Sequence, residues 1–213
     1  MTRANSTQVR IARRAERAGL KVRPEVLDAF AAYLELLVVW NQKMNLTALK
    51  DEEEAIDRLL LEPVMAVRFV PNDATGLLDV GSGAGSPAIP LKISMPWMRV
   101  WMVESKVRKS AFLLETVRRL GLEQVEVETS RFEQMVDRDD VRRAADLVTL
   151  RAVRVDRALW RALEAFLLPG ASVFLFGGPT RRDQRAVPAT FEIQGDEPLL
   201  DANGSRLLRL RRL

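Results

Sequence analysis

The chain contains no cysteine and no histidine. Without cysteine it forms no disulfide, no zinc–thiolate site and no cysteine nucleophile. Without histidine it lacks the commonest general base and the commonest ligand of transition metals. We therefore expect a protein that binds no metal and whose chemistry needs neither side chain.

Long apolar runs are also missing. No run approaches the roughly 18 residues that span a bilayer, and the first residues lack the apolar segment of a secretion signal. We therefore expect a cytoplasmic protein that does not contact a membrane. The 213 residues suit one domain with an attached extension, and we expect a monomer.

Positive charge is concentrated at the start of the chain, although the net charge is only +4. Within residues 1–23 the single acid is Glu16, and the basic residues are Arg3, Arg10, Arg13, Arg14, Arg17, Lys21 and Arg23. Such a segment would be drawn to polyanions, because phosphate contacts release counterions. A solvated basic helix is an equally good interpretation of this segment alone.

Residues 77–87 organise the rest of the chain and read LLDVGSGAGSP. Two leucines and a valine around one acid suit a central parallel strand, whereas three alternating glycines cannot extend it. Glycine lets a ligand approach the backbone closely, and the first amides of a following helix present donors to a negative group. The stretch predicts a nucleotide-type ligand loop; a glycine turn without a ligand is the simpler alternative.

The spacing of the glycines narrows the choice of nucleotide. The dinucleotide fingerprint needs glycine or alanine where Ser86 stands, and a P-loop needs a following Gly-Lys-Ser/Thr. The D-x-G-x-G-x-G pattern instead resembles the first motif of class I S-adenosylmethionine-dependent methyltransferases, in which the acid orients the loop. The resemblance implies that the cofactor is bound by Asp79, Gly81, Ser82, Gly83, Gly85 and Ser86.

From Leu77 onward, predicted strands alternate with helices, as in a parallel sheet with helices on both faces. We predict strands over residues 77–80, 99–103, 124–128, 146–150 and 173–176, and an antiparallel pair near 191–193 and 207–210. The predicted fold is a doubly wound, mostly parallel, seven-stranded α/β sheet of the class I methyltransferase (Rossmann-like) kind. It forms one domain, residues 71–213.

Residues 1–70 are predicted to form a basic arm and a helical cap. One helix begins at Pro24, and its predicted buried face is Leu27, Phe30, Leu34, Leu37 and Val38. A second helix is predicted to be capped by Asp51. Pro63 is predicted to break or bend that helix.

Polar and aromatic residues follow the predicted strands. Glu104 lies 19 residues beyond Gly85, where such folds hold two ribose hydroxyls. Phe132 follows the third strand and is a candidate wall for the adenine, or else a core residue. Arg151 ends the fourth strand and would meet a ligand carboxylate or an RNA phosphate; pairing with a surface acid is the simpler alternative.

Several segments together resemble the glucose-inhibited division protein B family, bacterial methyltransferases of guanine N7 in 16S ribosomal RNA. The resemblance spans residues 40–179 and rests on Trp40-Asn41, Asn45-Leu46-Thr47-Ala48, the glycine loop, Ser105 to Leu113, Ser130-Arg131 with Glu133, and Thr149 with Arg151-Ala152-Val153. It implies S-adenosylmethionine as cofactor and 16S ribosomal RNA or the small ribosomal subunit as partner. The positions that match the family's cofactor contacts are Gly81, Ser86, Phe132, Glu133 and Arg151.

Guanine N7 has an in-plane lone pair and carries no proton to remove, so its methylation suits a chain without cysteine or histidine. We expect catalysis mainly by positioning, with no obligatory general base. The candidates for catalytic contacts to the RNA are Arg58 and Arg151. The main alternatives are an inactive paralogue that binds cofactor and ribosomal RNA, and a methyltransferase of a non-RNA substrate.

Four positions depart from the family pattern. They are Ser86 and Ala88 in the glycine loop, Leu59 where the family has histidine, and Gly177 where it has a basic residue. All are expected near the cofactor or the RNA surface.

Overall fold

A seven-stranded sheet forms the centre of the computed structural model, which describes residues 3–47, 51–177, 187–200 and 204–213. Its strands are β1 (Gly76–Val80), β2 (Arg99–Val103), β3 (Val125–Glu128), β4 (Leu147–Arg151), β5 (Ser172–Phe176), β6 (Phe191–Leu200) and β7 (Ser205–Arg212). Their order across the sheet is β3-β2-β1-β4-β5-β7-β6. β7 runs antiparallel to both of its neighbours, and the other pairs are parallel. The predicted sheet is confirmed.

Helices precede the sheet and connect its strands. They are α1 (Arg3–Arg17), α2 (Pro24–Met44), α3 (Glu52–Ile56), α4 (Glu62–Ala66), α5 (Ala88–Ser94), α6 (Val107–Leu120), α7 (Asp139–Ala144) and α8 (Arg157–Phe166). A π-helical turn (Asp57–Leu61) joins α3 to α4, and 3₁₀ turns cover Val67–Phe69 and Phe132–Asp137. Leu77 and Leu78 of β1 belong to separate hydrophobic clusters, because alternate residues of a strand face opposite sides of a sheet.

The five parallel strands lie within one residue of their predicted bounds, but the final pair is longer than predicted. β6 and β7 pair over most of their length, with register shifts at Ile193/Gly195 and Pro198/Leu200. Glycine and proline normally mark a strand's end, and here the irregular pairing keeps both Gly195 and Pro198 within β6.

Helix α2 begins at Pro24, as predicted, and ends before Asn45, whose backbone is left-handed at φ 49°. Phe30, Leu34 and Leu37 are buried. The prediction for Val38 is wrong, since this side chain is 38% exposed. Val38 lines a surface groove that also involves α1 and α3. The buried face of α2 instead includes Val26, Ala31 and Tyr33, so it is displaced from the predicted one.

Asp51 caps α3 as predicted: its side chain accepts a hydrogen bond of 2.7 Å from the Glu54 amide. The predicted break at Pro63 is not observed. The π-helical turn precedes Pro63, with the Glu62 amide donating to the Asp57 carbonyl, and helical backbone continues through α4. The wider turn accommodates a residue that has no N–H to donate.

Acids of the chain itself neutralise part of the basic segment. Arg10 pairs with Glu52, and Arg14 pairs with Asp57, whose Oδ1 lies 2.8 Å from Arg14 Nε. The helices before Pro71 share one hydrophobic cluster with the sheet. The division into residues 1–70 and 71–213 stays a prediction.

No helix in the described part of the chain is long and apolar enough to cross a membrane. Ala48, Gly178 and Pro179, which belong to the motifs named above, lie outside the described residues.

Candidate active site

Three side chains predicted at strand ends lie along one edge of the sheet. β1 lies between β2 and β4, and all three strands are parallel. Asp79, Glu104 and Arg151 therefore share the carboxyl edge of the sheet. The chain continues from β1 to β2 on one side and later to β4 on the other side, so the strand order reverses at β1. Open α/β sheets bind ligands at the carboxyl edge beside such a reversal.

The glycine loop brings backbone to the surface at this edge. Gly81 is exposed at φ +72°, and a β-carbon there would lie 2.8 Å from Val153 Cγ2. Gly85 is buried at φ +88°, and its β-carbon would collide with Ile89 of α5. The loop is anchored to β2, since the Gly81 and Ser82 amides donate to the Val103 carbonyl at 2.9 and 3.1 Å. Larger residues would close the approach to this backbone.

Glu104 holds the two loops that follow β1 and β2. Its Oε2 accepts a hydrogen bond of 3.0 Å from the Gly83 amide, and its Oε1 accepts one of 2.8 Å from the Lys106 amide. The residue is 6% exposed. Because a carboxylate oxygen has two lone pairs, both oxygens keep an acceptor position for ligand hydroxyls.

Asp79 is buried beneath the glycine loop. Its Oδ1 accepts a hydrogen bond of 2.6 Å from the Thr149 hydroxyl, while its backbone carbonyl accepts one of 3.0 Å from Ser82 Oγ. Oδ2 has no hydrogen-bond partner among the described residues. Burial raises the pKa of Asp79 to about 6, against the opposing effects of Thr149, Ser82 and the Arg151 charge.

The raised pKa predicts a pH-dependent stability for wild type that Asp79→Asn removes. In the unfolded chain the Asp79 carboxyl loses its proton near pH 3.8, whereas in the folded protein it keeps the proton up to about pH 6. The folded state is therefore favoured by the bound proton at low pH, and this contribution to stability is lost as pH rises through 6. From about pH 4.5 to about pH 7.5, the variant should gain about 2 kcal/mol of unfolding free energy relative to wild type. Urea unfolding of both proteins across this pH range measures the difference in unfolding free energy. A difference that does not change with pH would contradict the prediction.

Arg151 forms a buried ion pair with a residue far away in the sequence. Its Nη2 lies 2.8 Å from Oε2 of Glu62 in α4, which is completely buried. The guanidinium carbon also lies 4.9 Å from the centre of the Phe176 ring. Burial lowers the pKa of Arg151, and Glu62 opposes this effect. The alternative interpretation, pairing with a surface acid, is wrong about the place of the acid, which lies in the interior. Contact of Arg151 with a ligand carboxylate or an RNA phosphate stays a prediction.

Arg58 lies on the π-helical turn and is 39% exposed. Its Nη1 lies 3.5 Å from Glu54 Oε1, one turn earlier. Its positive charge contributes to the lowered pKa of Arg151. The two arginines named as catalytic candidates therefore act on each other electrostatically.

Phe132 and Glu133 begin the 3₁₀ turn that follows β3. Phe132 is 6% exposed, and its ring packs edge-on against Phe166 at 5.5 Å between centroids. The packing therefore supports Phe132 as a core residue. Glu133 is exposed.

Tyr33 of α2, which the sequence did not single out, contacts the glycine loop. It is the only tyrosine of the chain and is fully buried. Its hydroxyl donates a 2.6 Å hydrogen bond to the Ala84 carbonyl, and burial raises its pKa. The predicted buried face of α2 did not include Tyr33, and the sequence gave no signal for a partner 51 residues away.

We expect Tyr33→Phe to loosen the glycine loop. The loss of one hydrogen bond should cost about 1 kcal/mol of stability and weaken binding of S-adenosylmethionine, the cofactor that the sequence predicts, several-fold, measured by calorimetry. Thr116→Val is the matched control, because it removes a buried hydroxyl that donates to the Phe112 carbonyl within α6. Equal cofactor affinity in the two variants would contradict a role for Tyr33 at the loop.

A family model described as rRNA small subunit methyltransferase G matches residues 26–198. The chain belongs to this family. A ribosomal RNA small subunit methyltransferase G from Acetivibrio thermocellus is 32% identical over 187 residues, covering 87% of this chain and 77% of that protein. The protein of the same name from Pelotomaculum thermopropionicum is 36% identical, with coverage of 82% and 73%.

Solved structures share the fold of this methyltransferase G family member. A MtNAS variant in complex with S-adenosylmethionine has a TM-score of 0.59 at 12% identity, covering 96% of this chain and 97% of that one. TrmN from Thermus thermophilus has a TM-score of 0.54 at 19% identity, with coverage of 72% and 48%. The structures therefore support a Rossmann-like methyltransferase fold, and the family makes this chain a methyltransferase with S-adenosylmethionine as cofactor.

The residues at the sheet edge fit that cofactor. A ribose needs an acceptor near the second strand, which Glu104 provides, and Gly81 exposes backbone beside it. The charged amino-acid end of the cofactor suits a site with an unpartnered carboxylate oxygen on Asp79 and a cation on Arg151. In the described ranges, no three acidic side chains group to hold a metal ion.

The four departures from the methyltransferase G pattern have structural explanations here. Ser86 Oγ donates a 2.9 Å hydrogen bond to the Leu59 carbonyl, and Pro63, four residues after Leu59, has no N–H to donate to that carbonyl. Leu59 and Ala88 are buried in the core. Gly177 has φ +107°, a conformation that other residues rarely adopt.

Proposed function

We propose that this methyltransferase modifies N7 of a guanosine in 16S ribosomal RNA of the small ribosomal subunit. The main support is the arrangement of Glu104, the glycine loop with its exposed Gly81 and the Arg151–Glu62 pair at one sheet edge, in a chain of the methyltransferase G family. The relatives are named for the ribosomal RNA small subunit.

We assign the cofactor to the loop from Asp79 to Ser86 and to Glu104, with Glu133 and the backbone at Phe132 beside the adenine. When bound, S-adenosylmethionine supplies a methyl group on a positively charged sulfur. Glu104 would bind ribose hydroxyls while it keeps the Gly83 and Lys106 amides in place. Phe132 supports this wall from the core through Phe166.

The proposed reaction needs no general base. Guanine N7 is already a lone-pair donor, and the chain has neither cysteine nor histidine to serve other chemistry. The residues therefore act by holding the two reactants in line and by limiting their movement relative to each other. Arg58 and Arg151 are the cations that we propose contact the RNA at the reacting base.

The RNA is proposed to lie across the carboxyl edge of the sheet, where cations of the loops and of the first helical turns are exposed. These are Lys106 and Arg108 after β2, Arg131 after β3, and Arg154 and Arg157 after β4. Phosphate contacts from such side chains make binding depend steeply on salt. We also propose that the enzyme works as a monomer, without a metal ion, in the cytoplasm.

The deciding experiment measures transfer of labelled methyl groups from S-adenosylmethionine to small subunits from cells that lack the protein, followed by nucleoside chromatography. Label in 7-methylguanosine is expected, with subunit binding that weakens as salt rises. Cofactor binding without any labelled nucleoside would favour an inactive paralogue that binds RNA. Label in protein, with salt-insensitive binding, would favour a non-RNA substrate.

Chelator and sedimentation measurements test the remaining parts of the proposal. Transfer that persists in excess chelator, and a single species of 24.0 kDa at assay concentration, are the expected results. Loss of activity restored by one divalent metal, or a dimer, would contradict them.

A further inference from the structure

Several polar atoms of the buried Glu62–Arg151 pair have no hydrogen-bond partner among the described residues. Glu62 is completely buried, and the Arg151 side chain is 11% exposed. The two groups approach to 2.8 Å outside hydrogen-bond alignment, and Glu62 Oε1 and Arg151 Nε have no hydrogen-bond partner among the described residues. Two well-packed apolar side chains would cost less to bury, so stability alone does not explain this pair.

The surroundings connect Glu62 to the reaction site. Glu62 directly follows the π-helical turn, and such turns often occur at functional sites. Ser86 of the glycine loop holds this turn through the Leu59 carbonyl. Arg151 ends β4 beside Asp79, whose pKa it lowers. Glu62 thus fixes a cation at the edge where we place the cofactor and the guanosine.

Methyl transfer to N7 changes the charge of the acceptor. The N7 lone pair forms the new N–C bond and the S–C bonding pair stays on sulfur, so the positive charge moves from sulfur to guanine and no proton is released. An unbalanced Arg151 would repel that charge in a site of low dielectric constant. Glu62 offsets it.

We propose that Glu62 is a positioning residue for methyl transfer: it orients the Arg151 guanidinium and offsets its charge, so that the site accepts the cation that forms on guanine. This inference rests on the proposed N7 methylation and adds a residue that acts only through Arg151.

Glu62→Gln tests the proposal, because glutamine keeps the size of the side chain and removes its charge. We expect kcat to fall roughly 10- to 100-fold, with cofactor affinity measured by calorimetry changing much less. The variant should also bind methylated subunits more weakly than unmethylated ones, relative to wild type. The double variant Glu62→Gln, Arg151→Gln should unfold at a higher midpoint than Glu62→Gln, since it leaves no unpaired charge, but it should not recover the rate, since methyl transfer depends on Arg151.

Asp57→Asn is the matched control. Asp57 is another buried acid of the same helical segment, paired with Arg14 and not with Arg151. It should lower the unfolding midpoint without lowering kcat. Equal loss of kcat in both variants, or an unchanged rate in Glu62→Gln, would overturn the inference while an active wild type preserves the proposed function. An inactive wild type would overturn both.

Discussion

Replacing Arg151 by alanine should remove roughly 3 to 5 kcal/mol of unfolding free energy and abolish detectable methyl transfer. The structural reason is Glu62, which is completely buried and has Arg151 as its ionic partner. Alanine leaves this carboxylate without a compensating charge in the interior, and the cation–π contact with Phe176 is lost as well. Urea unfolding should show a lower midpoint with an unchanged slope.

Arg154→Ala is the control for this result. Arg154 lies three residues further on, and its side chain is 90% exposed. Its Nε lies 3.8 Å from Asp156, so its removal should change stability by less than about 0.5 kcal/mol. We expect Arg154→Ala to retain turnover and to lose only some affinity for RNA. An Arg151→Ala protein that unfolds at the wild-type midpoint would show that Glu62 finds another partner.

Local sequence signals predicted the sheet and its carboxyl edge well. The glycine loop, Glu104 and Arg151 each follow a short apolar run, and parallel strands bring such ends together. The sequence did not show what Glu104 touches. Its contacts with the Gly83 and Lys106 amides depend on how two loops fold around one side chain.

The missed residues all depend on long-range packing. Tyr33 reaches the loop across 51 positions, and Thr149 reaches Asp79 across 70. Glu62 looked like one more acid on a helix that begins with acids, and no spacing rule connects it with Arg151. A buried cation at a strand end requires an acidic partner, but the sequence contains many acids and does not show which of them pairs with Arg151.

These contacts also give the first 70 residues a specific role at the site. Tyr33, Leu59 and Glu62 contact the glycine loop or the end of β4 from the helices. The predicted cap is thus more than a cover for the hydrophobic face of the sheet. Substitutions of Tyr33 or Glu62 should alter cofactor binding or turnover, even where the sheet itself is unchanged.

The second large effect is expected from Glu104→Ala. One carboxylate receives the Gly83 and Lys106 amides, so its loss frees both loops beside the proposed ribose position. Hydrogen bonds to a charged group each contribute roughly 1.5 to 3 kcal/mol, and we expect cofactor affinity to fall about 100-fold or more. Titration calorimetry with S-adenosylmethionine measures the change, and Glu104→Gln should be intermediate, because an amide keeps one acceptor but places a donor against the second loop amide.

Glu128→Ala separates this effect from the loss of any acid at the carboxyl edge. Glu128 ends β3, the strand next to β2, and pairs with Arg138 at 2.5 Å, with its side chain 32% exposed. Its removal leaves both amides on Glu104, so cofactor affinity should stay within about twofold of wild type. If Glu128→Ala and Glu104→Ala weaken binding equally, the negative potential of the edge governs affinity. If only Glu104→Ala does so, the carboxylate that joins the two loops governs it, because that is the contact in which the two acids differ.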